Sequence, residues 1–392
     1  MKKIIFILLI CFIMIPGIFA SDGWRMPDRS WEMGIANIDF GFSNNLINLS
    51  DVFQKELVID LDKLKSGLFI NLDLGVTPFY FSFNSKGNWG FKLSAGIDAH
   101  GLISLNDKML SFAEAENEES DFAVSAFADA QLSVFFHIAK FKVTLAPSVF
   151  YPVVYTSPSI IYSKKDSNNG TDLSLDYKLT VFSAVSMAPG STGDVTGSPG
   201  FDLSASLEFP LSEAIGLKKL ISFLDFSVGL DVYNFSLVPS LLQDYMEISG
   251  KIGGDKIDIF NGLPDDLFQM DDIVYGQKDM EVIRPFRVHL WADWRPFKIL
   301  GITGTFGFSI NNAYVESFTF EGGAKARIDL GNILIVKAGA GYYDRVWINS
   351  VDFTLNLRLI QIDLGVNLRS NTLDKTFING SPGFSFGFRF GW

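Results

Sequence analysis

The last ten residues alternate strictly between aromatic and small side chains. Every second position is aromatic, and the residues between are Gly, Ser or Arg. The aromatic positions are Phe384, Phe386, Phe388, Phe390 and Trp392. Because a β-strand directs successive side chains to opposite faces, this stretch predicts a strand with one wholly aromatic face. Such a face needs a second sheet or lipid to cover it, since an uncovered apolar edge promotes aggregation.

These five aromatic residues resemble the C-terminal strand of bacterial outer-membrane β-barrel proteins, which ends on an aromatic residue with apolar residues at alternate positions before it. The resemblance implies an outer-membrane location, with lipid as the cover of the aromatic face. It also implies that the five residues form an insertion signal, with the barrel-insertion machinery as a partner.

The first twenty residues predict a secretory signal peptide. Lys2 and Lys3 precede an apolar run from Ile4 to Ile15, which is 12 residues long, and we expect cleavage after Ala20. A membrane-spanning helix needs about 20 residues, so the run is too short for a permanent anchor.

Composition excludes several classes of function. The only cysteine is Cys11, so the mature chain is expected to have no disulfide and no thiol chemistry. Without Lys2 and Lys3 the charge balance is 30 − 44 = −14, from 32 Lys+Arg and 44 Asp+Glu in the whole chain, which argues against nucleic acid as a partner. No cofactor or metal is expected.

Period-two alternation recurs along the chain in segments longer than the strands of soluble proteins. Residues 122–138 alternate for 17 positions. That is long enough for a tilted membrane-spanning strand, which needs about 9 to 11 residues. No later apolar run has the length of a membrane-spanning helix, so this chain could cross a bilayer only as a closed β-barrel. We predict an all-β fold, a transmembrane up-and-down antiparallel β-barrel of about 14 to 16 strands, with residues 21–392 as its single domain.

The strand count depends on two segments. Sixteen strands result if residues 31–42 and the segment after Pro78 each form a strand, and 14 if the N-terminus lies inside the barrel. Residues 21–66 therefore contain either the first strand or a plug. Residues 238–283 are strongly acidic and form either a long extracellular loop or a plug. Tight turns are expected at Ala139-Lys140 and between Leu359 and Ile360. Trp89, Trp294 and Trp392 should lie at one membrane interface.

Three histidines, His100, His137 and His289, fall on the predicted lumen face, without metal-ligand spacing between any two. Asp98 and His100 lie two residues apart on one face, similar to an Asp-His pair in an outer-membrane barrel protease family. The alternative is a polar lumen pair, which is favoured because no other catalytic motif occurs. We therefore predict no enzymatic activity.

Charges on the lumen face separate into two walls. Inward positions of residues 67–236 are mainly acidic, and those from residue 284 onward are mainly basic. The residues predicted to line the pore are Asp73, Asp98, His100, Asp129, Arg287, Lys325, Arg327, Lys337, Arg345, Arg358, Arg369 and Arg389. Opposed walls either create a transverse field in an open pore or pair as interior salt bridges in a plugged barrel.

The sequence-based hypothesis for function is a porin-like channel that passes small polar solutes. One alternative is a carrier of hydrophobic molecules, on a weaker resemblance to the long-chain fatty-acid transporter family, whose members are barrels with an N-terminal plug. The chain has no Asn-Pro-Ala motif near the mature N-terminus, which that family carries. A second alternative is a non-transporting surface protein whose acidic loops bind a partner. The oligomeric state is left open.

Deleting Trp392 should lower the yield of protein assembled in the outer membrane, because the deletion removes the terminal aromatic residue of the insertion signal. Heat-modifiable mobility of the membrane fraction measures assembly. Normal levels of the truncated barrel would contradict this role.

Overall fold

A computed structural model describes residues 29–45, 67–85, 88–105, 121–157, 161–166, 172–187, 195–214, 225–254, 268–271, 273–297, 299–378 and 380–392. The predicted signal peptide, residues 1–20, lies outside this described part, as do residues 46–66 of the predicted plug segment. Among the described residues, no helix is long and apolar enough to cross a membrane.

Almost all of the regular structure is β-strand. In chain order the strands are β1 (Trp31–Asn44), β2 (Leu68–Asn84), β3 (Trp89–Leu105), β4 (Asp121–Ile138), β5 (Phe141–Thr156), β6 (Ile161–Asp166), β7 (Asp172–Ser183), β8 (Gly200–Phe209), β9 (Asp225–Val238), β10 (Ser240–Gly254), β11 (Phe268–Met270), β12 (Val274–Val282), β13 (Phe286–Phe297), β14 (Leu300–Ile310), β15 (Phe318–Leu330), β16 (Leu334–Tyr343), β17 (Val346–Leu357), β18 (Ile360–Ser370) and β19 (Ser381–Gly391). The described residues also include two short helices, α1 (Leu211–Ala214) and α2 (Leu373–Ile378).

Fourteen of these strands form a closed antiparallel barrel, which confirms the predicted fold class. The ring runs through β1 to β5, then β8, β9 and β13 to β19, and each strand pairs with the next. β19 pairs with β1 to close the ring. At the seam, Trp31 N–H donates to the Trp392 carbonyl at 3.1 Å, and Trp392 N–H donates to the Trp31 carbonyl at 3.0 Å. Closure leaves the barrel without a free edge.

The barrel has 14 strands, which lies within the expected range of about 14 to 16. A count of 14 was expected only if the N-terminal segment lay inside the barrel, and it does not. Residues 31–44 form a wall strand and not a plug, because they pair along both β2 and β19. Pro78 starts no new strand: β2 continues through it, and the pairing with β3 skips from Val76 to Phe79. A proline has no N–H for the ladder, and a bulge lets the strand continue past it.

The alternation in the sequence also predicts strands at 141–150, 153–163 and 172–187, which the structure arranges differently. Residues 141–150 and 153–156 form the single strand β5, whose register shifts where Pro152 faces β4. Residues 172–183 form β7, which pairs with β10 outside the ring. Pairing of Val154–Thr156 with Val181–Ser183 joins the end of β5 to this second sheet.

The second sheet extends the barrel at one end. It contains β6, β7, β10, β11 and β12, and β10 pairs with β7, β11 and β12. The segment 238–283, expected as a loop or plug, therefore carries strands, and its residues 255–267 lie outside the described part. Short turns at 139–140, 331–333 and 358–359 close the opposite end, two of them where predicted. Outer-membrane barrels have short turns at the periplasm and longer loops outside, which makes the second sheet extracellular.

The two faces of the barrel differ as the alternation predicts. Outward positions form an exposed apolar surface, with Leu290 57%, Phe306 64% and Phe320 63% exposed. Trp89, Trp294 and Trp392 are also exposed and lie at the short-turn ends of their strands. An apolar belt with an aromatic girdle is the outer surface of a barrel that stands in a lipid bilayer.

Adjacent positions on β15 should respond oppositely to substitution. Ala326 is exposed on the outer face, and Arg327 lies on the lumen face with its side chain paired to Asp329 at 2.9 Å. Ala326→Arg should destabilise the barrel by up to about 4 kcal/mol, because it places a charged side chain against lipid. Arg327→Ala should be tolerated. Urea unfolding in lipid vesicles measures both, and equal losses would contradict the assignment of faces.

Candidate functional site in the barrel lumen

The extracellular half of the lumen contains a packed group of apolar side chains. We call this buried group the upper apolar cluster. The members are Phe69, Leu102, Ala123, Phe127, Phe150, Tyr155, Phe182, Ala184, Leu242, Val282, Ala313, Tyr314, Val346 and Ile348. Those on the barrel strands come from the ends that face the long connections, and those on β7, β10 and β12 come from the second sheet. The second sheet therefore packs onto the mouth of the barrel.

Sequence reasoning missed this cluster although its signal is present. Phe69, Leu102, Phe127 and Phe150 occupy inward positions of their strands, where a water-filled pore would have polar residues. For Phe69 and Leu102, the next inward positions toward the periplasm, Asn71 and His100, are polar. The change from polar to apolar along one face is the feature that marks the cluster.

A network of charged side chains lies below the upper apolar cluster. His100 Nδ1 lies 2.6 Å from Asp73 Oδ1 and 3.4 Å from Asp344 Oδ2, and Arg369 donates to the other oxygen of Asp73. His289 Nε2 lies 2.6 Å from Glu321 Oε2. All six of these residues are more than nine-tenths buried. We call this group, together with Arg287, the central charge network.

Arg287 connects the two histidine pairs. Its Nε lies 3.7 Å from Glu321 Oε1, and one terminal nitrogen lies 3.7 Å from Asp344 Oδ2. Glycine makes room for the other guanidinium, since a Cβ at Gly41 would lie 1.7 Å from Arg369 Cζ. The network is therefore built from β1, β2, β3, β13, β15, β18 and the turn between β16 and β17.

The predicted Asp98-His100 pair does not form. Asp73 lies directly opposite His100 in the register of β2 and β3, so the cross-strand carboxylate reaches the imidazole instead. Asp98 lines a cavity of about 10 Å³ with His100, Arg287, Asn311 and Asp344 among its walls. That volume holds about one water molecule and no solute.

A second charged group centres on Arg284, which precedes β13 and was not among the predicted pore residues. Arg284 Nε donates to Asp202 Oδ2 at 2.7 Å, and its guanidinium lies 3.5 Å from Asp129 Oδ2. Its Cζ also lies 5.2 Å from the centre of the Phe150 ring. Arg284 thus joins the acidic side of the lumen to the upper apolar cluster.

Polar contacts continue toward the periplasmic end. Arg389 lies 2.9 Å from Asp363 and 3.8 Å from Glu32, and Glu32 accepts a hydrogen bond from Tyr80. Lys325 lies 3.2 Å from Asp352 and, like Arg327, is only partly covered, with 46% and 41% of the two side chains exposed. Lys325 and Arg327 are therefore more exposed than the side chains of the central charge network.

Two of the predicted pore residues occupy turns. Arg345 lies in the extracellular turn between β16 and β17, where it pairs with Asp121 and donates to the Glu316 carbonyl. Arg358 departs from the prediction: it lies in a periplasmic turn, with its guanidinium 4.7 Å from the centre of the Trp392 ring. Both have a positive φ, 67° and 66°, because a tight turn follows the strand. Lys337 remains on the inward face of β16.

The aromatic residues of the predicted insertion signal lie on the outer face of β19. Phe384, Phe386, Phe390 and Trp392 are exposed, and Phe388 is partly exposed. Phe390 packs edge-on against Trp31, with 5.5 Å between ring centres, and Phe384 lies 5.3 Å from Phe40. The C-terminal strand is thus joined to the first strand by ring contacts as well as by the backbone.

The acidic and basic walls meet through direct pairs. Asp73 is paired with Arg369, Asp121 with Arg345, and both Asp129 and Asp202 with Arg284. Each pair joins a carboxylate from the first half of the chain to a guanidinium from the second half. Paired charges neutralise each other locally, so the arrangement matches the interior salt bridges considered above as the alternative to a transverse field.

Three side chains of the central charge network have ligand atoms close enough together for a metal ion. One atom from each of Asp73, His100 and Asp344 lies within 4.8 Å of the others. However, Arg369 already binds Asp73 and Arg287 lies beside Asp344. The two guanidinium groups already neutralise the negative charges of both carboxylates. A divalent cation bound here would therefore leave an excess of positive charge.

The closed ring of strands and the lipid-facing belt together define an outer-membrane β-barrel. No protein-family model matches the chain, and no curated protein matches it in sequence. Solved structures do match in fold.

The toluene transporter TodX of P. putida matches with a TM-score of 0.51 and 9% identity over 97% of this chain and 94% of that chain. A TodX deltaS2S3 mutant, described as a monoaromatic hydrocarbon channel, has a TM-score of 0.51 and 10% identity over the same shares of the two chains. The toluene transporter TbuX of Ralstonia pickettii has a TM-score of 0.48 and 8% identity over 96% of this chain and 95% of that chain. At these identities the TodX likeness shows the fold, and it confirms the predicted resemblance to outer-membrane β-barrels.

Breaking the Asp73–Arg369 pair should destabilise the barrel strongly. Arg369→Met removes the guanidinium and leaves a buried carboxylate with reduced compensation, a change that typically costs about 3 to 5 kcal/mol. As a control, Arg295→Met breaks a pair with Asp293 whose arginine side chain is 56% exposed, and should cost at most about 1 kcal/mol. Urea unfolding followed by tryptophan fluorescence compares them, and similar losses would contradict a structural role for the buried pair.

Proposed function

We propose that the chain is an outer-membrane channel for small hydrophobic molecules and not an enzyme. The observation that carries this proposal is the upper apolar cluster, which places aromatic and aliphatic side chains across the extracellular half of the lumen. A molecule entering from outside meets this cluster before it meets any charge of the central charge network. Apolar surface gains about 25 cal/mol per Å² on leaving water, so the cluster favours apolar solutes.

The arrangement of charge also favours this proposal over the porin-like channel. A porin that selects polar solutes by a transverse field requires unpaired charges facing water at a constriction. In the central charge network the facing charges are buried and joined in pairs. Their fields largely cancel within a few ångströms, which removes the main attraction for a polar or charged solute.

The TodX likeness is consistent with a hydrophobic cargo, since that protein is described as a toluene transporter. We further propose that outer-membrane lipid covers the exposed apolar belt, and that the barrel-insertion machinery recognises the five aromatic residues at the end of the chain. Both partners follow from the alternation of exposed aromatic and small residues on the last strand.

Uptake of radiolabelled toluene by cells that express the protein tests the function. Expression should raise uptake, and Phe127→Ser should lower it several-fold, because Phe127 is 3% exposed in the upper apolar cluster and the hydroxyl makes that cluster less apolar. Phe306→Ala is the matched control, since Phe306 faces lipid and is 64% exposed. Its uptake should equal that of the unaltered protein.

Planar-bilayer recording provides the opposing measurement. The proposal expects low salt conductance, because the charged side chains at the centre are paired. A large ohmic conductance without any gain in toluene uptake would reject the hydrophobic channel in favour of the polar-solute channel.

A further inference from the structure

One connection folds into the lumen instead of projecting from it. The segment Asn311–Ser317, here called the infolded loop, joins β14 to β15. It closes on itself through a hydrogen bond from Asn311 N–H to the Ser317 carbonyl at 2.8 Å. Ala313 and Tyr314 at its tip are 1% and 2% exposed and belong to the upper apolar cluster. The tip is therefore at the boundary between the apolar and the charged levels of the lumen.

Tyr314 fills a slot with two kinds of wall. Its ring is part of the upper apolar cluster, and the Arg345 guanidinium carbon lies 4.7 Å from the centre of the ring face. The His100 ring stands edge-on to it, with 5.6 Å between ring centres. At the far end the tyrosine hydroxyl contacts His100 Nε2, and it donates to Asp344 Oδ1 at 3.0 Å. The slot thus provides an apolar and cationic enclosure for an aromatic ring and two polar partners for one hydroxyl.

The hydrogen-bond roles at the hydroxyl are complementary. Burial, together with the neighbouring Asp344 carboxylate, raises the pKa of Tyr314 well above its usual value, so the phenol keeps its proton. His100 Nδ1 faces Asp73, which leaves Nε2 to face Tyr314. With both imidazole nitrogens protonated, Nε2–H donates to the phenol oxygen while the phenol O–H donates to Asp344. The slot therefore presents one donor and one acceptor to a single hydroxyl group.

The infolded loop is tied down by side chains and not by the sheet. Val315 N–H donates to Asp121 Oδ1 at 2.7 Å, and Arg345 bridges Asp121 and the Glu316 carbonyl. The β14–β15 ladder ends at the Ile310–Phe318 pair. Because the loop takes no part in that ladder, it can leave the lumen without unpairing a barrel strand.

We propose that the slot filled by Tyr314 is a binding site for the cargo, and that the cargo is a small aromatic molecule bearing a hydroxyl group. Tyr314 is a phenol attached to the chain, and it occupies the slot while the channel is closed. A free phenol that displaces it makes the same ring and hydroxyl contacts, and the infolded loop then swings out of the lumen. This inference rests on the proposed hydrophobic channel and narrows its substrate class.

The hydroxyl distinguishes a phenol from a plain hydrocarbon. A hydrocarbon in the slot leaves His100 Nε2 and Asp344 Oδ1 without their partner in a buried place, and an unpaired buried polar group is costly. Sites built to bond a hydroxyl reject the analogue that lacks it. We expect p-cresol to compete with Tyr314 better than toluene by on the order of tenfold.

Thiol labelling in the otherwise cysteine-free mature chain tests the proposal. Ala313→Cys places a small thiol at a position that is 1% exposed while Tyr314 fills the slot. Its rate of reaction with a water-soluble maleimide should rise saturably with p-cresol, and toluene should need about tenfold higher concentration for the same effect. Asn312→Cys is the matched control, because Asn312 is already exposed and its rate should not change.

Adding Tyr314→Phe to Ala313→Cys removes the hydroxyl and both of its polar contacts, the same change that separates toluene from p-cresol, and should raise the labelling rate without ligand by about tenfold. If p-cresol leaves the rate at 313 unchanged up to its solubility limit, or if toluene acts equally well, the proposal is overturned.

Conductance of the unaltered protein in planar bilayers gives a second measurement, which needs no cysteine variant. p-Cresol should raise it saturably, and no change would count against the proposal. Labelling does not require passage through the barrel. A positive labelling result without any toluene uptake would therefore reject the proposed channel and retain the phenol site, whereas normal uptake without labelling would do the reverse.

Discussion

The closed barrel depends on the neutralisation of charge inside it. Charged side chains on the outer surface would face lipid, so the strands direct them inward, where burial makes each unpaired charge costly. The structure meets that requirement by pairing charges inside the lumen, as in Asp73 with Arg369 and Asp129 with Arg284. Asp73 on β2 and Arg369 on β18 are separated in the ring only by β19 and β1, so this pair lies across the seam where the barrel closes.

This pairing also supports the proposed hydrophobic cargo. Once the central charges have neutralised one another, the extracellular half of the lumen is dominated by the upper apolar cluster, to which the second sheet contributes Phe182, Leu242 and Val282. Tyr314 connects the two levels, since its ring lies in the apolar one and its hydroxyl contacts His100 in the charged one. A phenol matches such a boundary because it also has an apolar body and one polar end.

Much of the architecture follows from local pattern. Period-two alternation predicted the barrel, the inward and outward faces and the turn after β4, because a strand's two faces depend only on the parity of the residue number. Strand ends were less certain where proline occurs. Pro78 and Pro152 interrupt the ladder pattern in the sequence, yet each strand continues past its proline through a register shift, which depends on the neighbouring strand.

The site itself was only partly visible in the sequence. Asp73 and Arg369 were placed on the lumen face, but their pairing across 296 positions of sequence depends on the closure of the ring. Asp98 was taken as the neighbour of His100 from its spacing along one strand, whereas cross-strand register brings Asp73 to the imidazole. The infolded loop was not predicted, since nothing in seven residues between two strands indicates whether they point outward or into the lumen.

The sequence by itself determined that this chain forms an outer-membrane barrel, which residues face lipid and that the interior carries opposite charges on its two halves. Those properties are set by alternation and composition, which act over a few residues. Only the tertiary structure decided that the charges pair, that the extracellular half of the lumen packs as an apolar cluster, and that Tyr314 fills a phenol-shaped slot. Those contacts join strands far apart in the chain, and they exist only after the barrel closes and brings its opposite walls within reach of one another.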